Sequence, residues 1–210
     1  MEGLPITICH LYPTMMNLYG DRGNVLALER RCRWHGLEPQ VVPVEREEKV
    51  DFTRCDIICI GGGQDREQML IYQDFEQVKG KALQEAVEDN AVLVAICGGY
   101  QLMGQYYTTG TGERLPGLSI FDAWTEAGTD RLIGNVVIET KLVGRPQTLV
   151  GFENHSGRTF LGPNAVPLGQ VRKGFGNNGT DSSEGIVYKN SIGTYLHGSM
   201  LPKNPDLADW

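Results

Sequence analysis

The stretch Ala91-Val92-Leu93-Val94-Ala95-Ile96-Cys97-Gly98-Gly99-Tyr100-Gln101 decides the fold. Six apolar residues run without a break into a cysteine and two glycines. A continuous apolar run of this length, closed by glycine, reads as a parallel strand buried on both faces. A helical pattern follows through Leu102, Met103 and Tyr106, so the chain must turn sharply after the strand, and Gly98 and Gly99 permit the tight approach. Cys97 then sits on the turn at the start of a helix. The helix dipole and the unpaired N–H groups there favour a thiolate. Strand, nucleophile and helix in this order make a nucleophile elbow. A cysteine at a strand end is more often a core residue; the Gly-Gly pair and Gln101 one helical turn on turn the balance toward chemistry.

Working outward, the residues before this stretch repeat the alternation. Ile6–Leu11 reads as a first strand, followed by loop residues Gly20-Asp21-Arg22-Gly23-Asn24 with Asp21 as a helix N-cap. The helix that follows, with Val25, Leu26, Leu28, Cys32 and Trp34 mostly on one face, stops at Gly36. Strands are expected at Gln40–Val44 and Asp56–Ile60, with helices from about Arg66 to Tyr72 and Phe75 to Glu88. This is a flavodoxin-like, doubly wound α/β fold with a mostly parallel sheet and helices on both faces. After Gly110 glycines are frequent and strands short: Leu132–Ile138, Leu149–Glu153, Ile186–Lys189 and Ile192–His197. These are expected to add mixed strands to the sheet, and Gly174–Gly179 reads as a hairpin or longer turn. Asn204-Pro205 reads as the N-cap of a last helix. With 210 residues the chain is expected to form one domain, 1–210, able to bury about 70% of its unfolded surface.

Composition narrows the function. A net charge of −7 with no basic stripe argues against nucleic acid. No stretch approaches the length of a membrane span, and Met1–Pro5 lacks the basic start and apolar run of a secretory leader. Five cysteines with no CxxC suggest neither a zinc site nor a disulfide framework. Cys9, Cys55 and Cys59 are placed in core strands and Cys32 in a helix. A reducing cytoplasm is the expected compartment, which discounts the formal glycosylation patterns at Asn154 and Asn178.

Loops at the carboxyl ends of neighbouring parallel strands converge on one crevice. Gly61-Gly62-Gly63 and Cys97 both occupy such ends. The glycines match neither a Rossmann fingerprint nor a P-loop; they are expected to supply a backbone N–H for an oxyanion, with Gly62 and Gly63 the candidates beside Gly98. A thiolate nucleophile wants a base. Of His10, His35, His155 and His197, the last closes an apolar strand just before a glycine and is preferred. His10 reads as structural, and His35 as complementing a helix end. His155 remains open for substrate contact or loop shape.

The set Met16–Asn24, Gly61–Gln68, Cys97–Gln101, Gly151–Thr159 and Thr194–Gly198 resembles the class I glutamine amidotransferases. More narrowly it resembles their CobB/CobQ-like branch, and within it the group that serves lipid II amidation. These motifs span nearly the whole chain. The resemblance implies a cytoplasmic glutaminase in which Cys97 and His197 hydrolyse L-glutamine through a thioester. The oxyanion would rest on backbone N–H groups at Gly62, Gly63 and Gly98. Gln101 would hold the substrate, and Arg131 would grip its α-carboxylate. No metal or cofactor is expected in this chain. The resemblance also implies a MurT-like Mur ligase partner in a heterodimer; ATP and Mg would sit on that partner, which would amidate the D-glutamate of the lipid II stem peptide to D-isoglutamine.

One departure matters. Many class I enzymes carry His-x-Glu, whereas His197 is followed by Gly198-Ser199. The site then works as a dyad, or the orienting acid comes from elsewhere, the partner included. Tyr19, Asp21 and Arg22 read equally well as a capped loop. Two other readings stay open: an amidotransferase for another acid such as a corrinoid, and a scaffold without catalysis.

Overall fold

The computed structural model describes residues 3–210. Met1 and Glu2, part of the segment read as lacking a leader, lie outside the described residues. In chain order the elements begin β1 (Pro5–Leu11), α1 (Arg22–Trp34), β2 (Glu38–Val44), β3 (Ile57–Ile60), α2 (Asp65–Asp74), α3 (Gly80–Glu88), β4 (Val92–Ile96) and α4 (Gly98–Met103). Then follow β5 (Tyr106–Thr108), β6 (Arg114–Pro116), β7 (Ala123–Thr140), β8 (Gln147–Leu161), β9 (Gly169–Lys173) and β10 (Ser183–Glu184). The chain closes with β11 (Ile186–Tyr188), β12 (Ser191–Thr194), α5 (Met200–Lys203) and α6 (Pro205–Asp209).

Six strands form the first sheet in the order β11-β12-β4-β3-β1-β2. All neighbours are parallel except the edge strand β11. Their apolar runs explain this, because Ile8, Leu11, Ile58, Ile60, Leu93, Ala95 and Ile96 are all at most 1% exposed. Each such large side chain taken out of water contributes about 1.5–3 kcal/mol. The strand order reverses between β1 and β3, the switch point at which doubly wound sheets open a crevice at their carboxyl ends.

The second half does more than extend that sheet. Only β11 and β12 join it. The others build a second sheet, β10-β9-β7-β5-β6, with β8 along β7. The long antiparallel pair β7–β8 runs in register from Ala123↔Leu161 to Thr140↔Gln147, with a shift between Ala127 and Leu132. A bulge of this kind bends the strand and re-aims the side chains beside it; Arg131 is one of them.

Several local expectations shift. The helix after Cys97 ends at Met103, since Gly104 turns the chain and Tyr106 opens β5. The expected helices 66–72 and 75–88 are α2 and α3, joined by a π-helical turn at Phe75–Lys79. α1 buries Asn24, Val25 and Leu28, but Leu26 and Trp34 face solvent at 49% and 73% exposure. Asn204 stands at the N-cap of α6 as expected, but its amide makes no capping bond and instead bonds the edge of β8 at Val150 through both ends. Cys9 and Cys55 form a disulfide, correcting the reading of unpaired cysteines. Parallel pairing of β1 with β3 brings their Cα atoms to 5.9 Å, within bridging range. A separation of 46 residues carries no such signal.

Candidate active site

Four loops meet at the carboxyl edge of the first sheet. They follow β1, β3, β4 and β12, and carry Asp21, Gly61–Gly63, Cys97 and His197. Cys97 has φ 49° and ψ −105°, a backbone conformation that costs a non-glycine residue energy and is typical of a strained elbow. Its N–H donates to the Thr194 carbonyl at 2.8 Å, tying the elbow to the end of β12. Gly98 must be glycine, because a Cβ there would lie 2.9 Å from both the nitrogen and the oxygen of Gly63. The bare backbones of the two loops therefore touch.

His197 is fully buried just beyond β12. Its backbone exchanges two hydrogen bonds with Phe152 of β8, which fixes the ring's position from the second sheet. Nδ1 lies 3.3 Å from Oδ1 of Asp21. Burial alone would lower the imidazole pKa. The negative charge of a Cys97 thiolate, with the hydrogen bond and charge of Asp21, outweighs burial and pushes it up to about 10. The protonated ring is thus an acid held beside the Cys97 side chain. The Tyr19 ring covers it edge-on at 5.0 Å.

Asp21 is the residue whose role the sequence left open. It does stand at the N-cap position of α1, but its side chain makes no capping hydrogen bond. One oxygen faces His197, and the other accepts the N–H of Gly62 at 2.7 Å. A carboxylate of the chain itself therefore faces the imidazole. A Cβ on Gly62 would sit 2.9 Å from His197 Cε1, 3.2 Å from Asp21 Oδ2 and 3.4 Å from Cys97 Cβ. The absence of a side chain at Gly62 is what lets the three groups converge.

This geometry corrects one oxyanion candidate, because the Gly62 N–H is already committed to Asp21. Among the described hydrogen bonds none takes the N–H of Gly63 or Gly98, and these two remain the donors nearest the elbow. Gln101 also departs from expectation. Its Oε1 accepts from Gln68 at 3.0 Å and its Nε2 donates to the Tyr195 hydroxyl at 3.0 Å. Both amide ends are engaged inside the protein, so Gln101 braces the pocket wall.

A cleft of about 520 Å³ opens over Cys97, lined also by Tyr19, Gln64, Arg66, Arg131 and His155. That volume suits a small polar ligand. Arg131 enters it from the β7 bulge, oriented by Nε to Asn154 Oδ1 at 2.8 Å and by one terminal nitrogen to the Asn154 carbonyl at 3.0 Å. His155 lies in the wall, its ring stacked on Tyr195 at 3.6 Å and its Nδ1 donating to the Gly157 carbonyl at 2.7 Å. Burial holds its pKa below the ordinary value, so it stays a neutral wall residue. His10 is buried within β1, and His35 caps the end of α1 beside Asp209.

Glu184, which the sequence did not single out, lies fully buried behind the base. One oxygen accepts from the Thr194 hydroxyl at 2.9 Å and from the Tyr195 N–H at 2.6 Å. It thereby fixes the turn that leads to His197. Burial pushes its carboxyl up to about 7.

Among solved structures, PurLQS from Thermotoga maritima superposes with a TM-score of 0.68 at 16% identity, covering 96% of this chain and 91% of that one. That likeness shows a shared α/β fold. Residues 7–205 match the CobB/CobQ-like glutamine amidotransferase domain, and the chain belongs to that family. It is 46% identical to the GatD subunit of the glutamine-hydrolysing lipid II isoglutaminyl synthase of Staphylococcus aureus (strain N315), over 98% of this chain and 82% of that protein. It is 41% identical to the corresponding GatD subunit of Streptococcus pneumoniae (strain ATCC BAA-255 / R6), over 97% of this chain and 77% of that protein.

Proposed function

We propose that this chain is the glutamine-hydrolysing subunit of a lipid II isoglutaminyl synthase. The observation that carries the chemistry is the convergence of Cys97, His197 and Asp21 beneath a cleft entered by Arg131. The likeness to two GatD subunits along nearly the whole chain supports the biological assignment.

L-glutamine enters with its carboxamide over Cys97 and its α-carboxylate on the Arg131 guanidinium, part of which Asn154 leaves free. The thiolate attacks the carboxamide carbon. The oxygen that becomes anionic accepts from the Gly98 and Gly63 N–H groups, an interaction worth several kcal/mol in comparable sites. His197 gives its proton to the leaving ammonia as the tetrahedral adduct collapses to a thioester. The neutral imidazole then takes a proton from water, hydroxide displaces the thiolate, and glutamate leaves. Asp21 holds the ring in one tautomer throughout, the role an orienting carboxylate has in acyl-transfer triads.

The ammonia goes to a MurT-like Mur ligase that activates the D-glutamate carboxyl of the lipid II stem peptide with ATP and Mg. That ligase is the second chain of a heterodimer, and lipid II is bound through it. No cofactor is needed here, because thioester chemistry uses only the groups named. Among the described residues no helix is long and apolar enough to cross a membrane; we assign the subunit to the cytoplasm, where a nucleotide-dependent partner works.

The test is glutamine-dependent amidation of lipid II by this chain combined with a MurT-like ligase. Glutamate release and D-isoglutamine formation in equal amounts are expected. A combined sample that releases glutamate and leaves lipid II unamidated would remove the assignment to this synthase.

A further inference from the structure

We propose that Ser199 is a positioning residue for the base: its hydroxyl, seated between Gly20 and Gly23, holds the loop that carries Asp21 against His197. The inference rests on the glutaminase reading above and concerns a position that reading leaves idle.

Ser199 stands two residues beyond His197, with φ 53° and ψ 83°. In this left-handed region glycine is the easy residue and serine is strained. The side chain kept there despite the strain donates from Oγ to the Gly20 carbonyl at 2.6 Å. Its seat is shaped for it. A Cβ on Gly23 would lie 2.1 Å from Ser199 Oγ and 2.8 Å from its Cβ.

The loop on the other side needs holding. Leu18–Gly20 is one irregular turn, with Tyr19 at φ 55° and Gly20 at φ 80°. The Asp21 N–H reaches Leu18 only at 3.4 Å. The loop hangs from the Gly62 carbonyl by the Leu18 N–H at 3.1 Å, and from Asn17 by the Arg22 N–H at 2.8 Å. The Ser199 bond clamps it one residue before Asp21. A second clamp, Leu201 N–H to Asn24 Oδ1 at 2.9 Å, lies one helical turn further along. Together they pin the start of α1 to the loop after His197, across 179 and 177 residues of chain. A hydroxyl two residues after the histidine thus holds an acid delivered from the loop after β1.

The groups that face His197 are Asp21 at Nδ1, Cys97, the Tyr19 ring and the more distant charge of Glu184. On its own loop, Lys203 bonds the Gly198 carbonyl. Replacing Ser199 removes none of them, so a change at the ring reports the placement of Asp21.

The experiment is a pH titration of the His197 imidazole by nitrogen-15 NMR on the full chain, with its signals identified by comparison with His197→Ala. The variants are Ser199→Ala, Ser199→Gly and Asp21→Asn. Ser199→Gly also relieves the backbone strain, so its melting temperature should equal or exceed that of the parent. Both Ser199 variants are expected to lower the His197 midpoint by about one pH unit. Ser199→Gly should add nothing in an Asp21→Asn background, as two changes acting through one contact must. An unmoved midpoint in Ser199→Gly would overturn the proposal, as would a full second shift in the Asp21→Asn background. The readout needs no turnover. If the parent instead released no glutamate beside its ligase, the glutaminase reading would fall and the titration result would stand.

Discussion

Asp21 Oδ1 lies 3.3 Å from His197 Nδ1, although 176 residues separate them in the chain. The same carboxylate accepts the Gly62 N–H. One acid thus fixes both the base and the strand-end loop beside the nucleophile. Asp21→Asn keeps the volume but can present an N–H to Nδ1 and force the wrong tautomer. Glutamine hydrolysis should fall roughly 10²-fold in kcat with little change in KM. Steady-state kinetics of the complex check it, and an unchanged kcat removes Asp21 from the site.

Cys97→Ala should abolish glutamate release while the complex still amidates with free ammonium. The ligase step needs only the nitrogen nucleophile, so ammonium-dependent product separates a dead glutaminase from a misfolded one. Glutamate release at the parent rate would refute the nucleophile assignment.

Arg131→Ala should act mainly on KM. Losing a charge-assisted pair to the α-carboxylate costs about 1.5–3 kcal/mol, a roughly ten- to hundredfold rise. The guanidinium is on the exposed side of the cleft, which places the effect toward the lower end. A KM and kcat/KM equal to the parent's would count against the contact.

Gly62→Ala should fold and lose activity by about 10²-fold, because the new methyl pushes His197, Asp21 and Cys97 apart. Circular dichroism establishes the fold, and glutamate release the loss. A fully active alanine variant would mean that the three groups do not meet in the working enzyme.

Two buried groups lose their contributions to stability as pH rises, each in its own range. His197 is raised, to about 10, above its unfolded value near 6.5. Its charged pairing with Asp21 stabilises the fold fully below about 6.5, and that contribution is lost as pH rises through about 10. Turnover should fall over the same upper range as the acid for leaving ammonia is consumed. Glu184 is an acid raised from an unfolded value of about 4.5 to about 7. The folded state binds its proton more tightly, so this contribution is full below about 4.5 and is lost as pH rises through about 7. Thermal melts of Glu184→Gln should therefore lose less stability than the parent's between pH 5 and 8, in the range set by its folded and unfolded values. Parallel curves for the two proteins would contradict the buried acid.

The readings that held from sequence were those carried by a contiguous segment. Val92–Ile96 followed by Cys97-Gly98-Gly99 encodes a buried strand, a cysteine at its end and a tight turn within eight residues, because burial on both faces needs an unbroken apolar run and a close turn needs glycine. Placing His197 at a strand end followed by the same logic. Asp21 shows the limit. Next to a helix start its local signal is that of an N-cap, and the signal is correct for the backbone while silent on where the carboxylate points. That direction is set by β1 and β12 lying in one parallel sheet with their carboxyl ends together. The Cys9–Cys55 bridge, the commitment of the Gly62 N–H, the inward engagement of Gln101 and the β7 bulge beside Arg131 have the same origin. Periodicity and turn chemistry record what each segment buries and where it bends. Which polar atoms meet across 40 to 180 residues depends on strand order and register, and only the folded chain decides that.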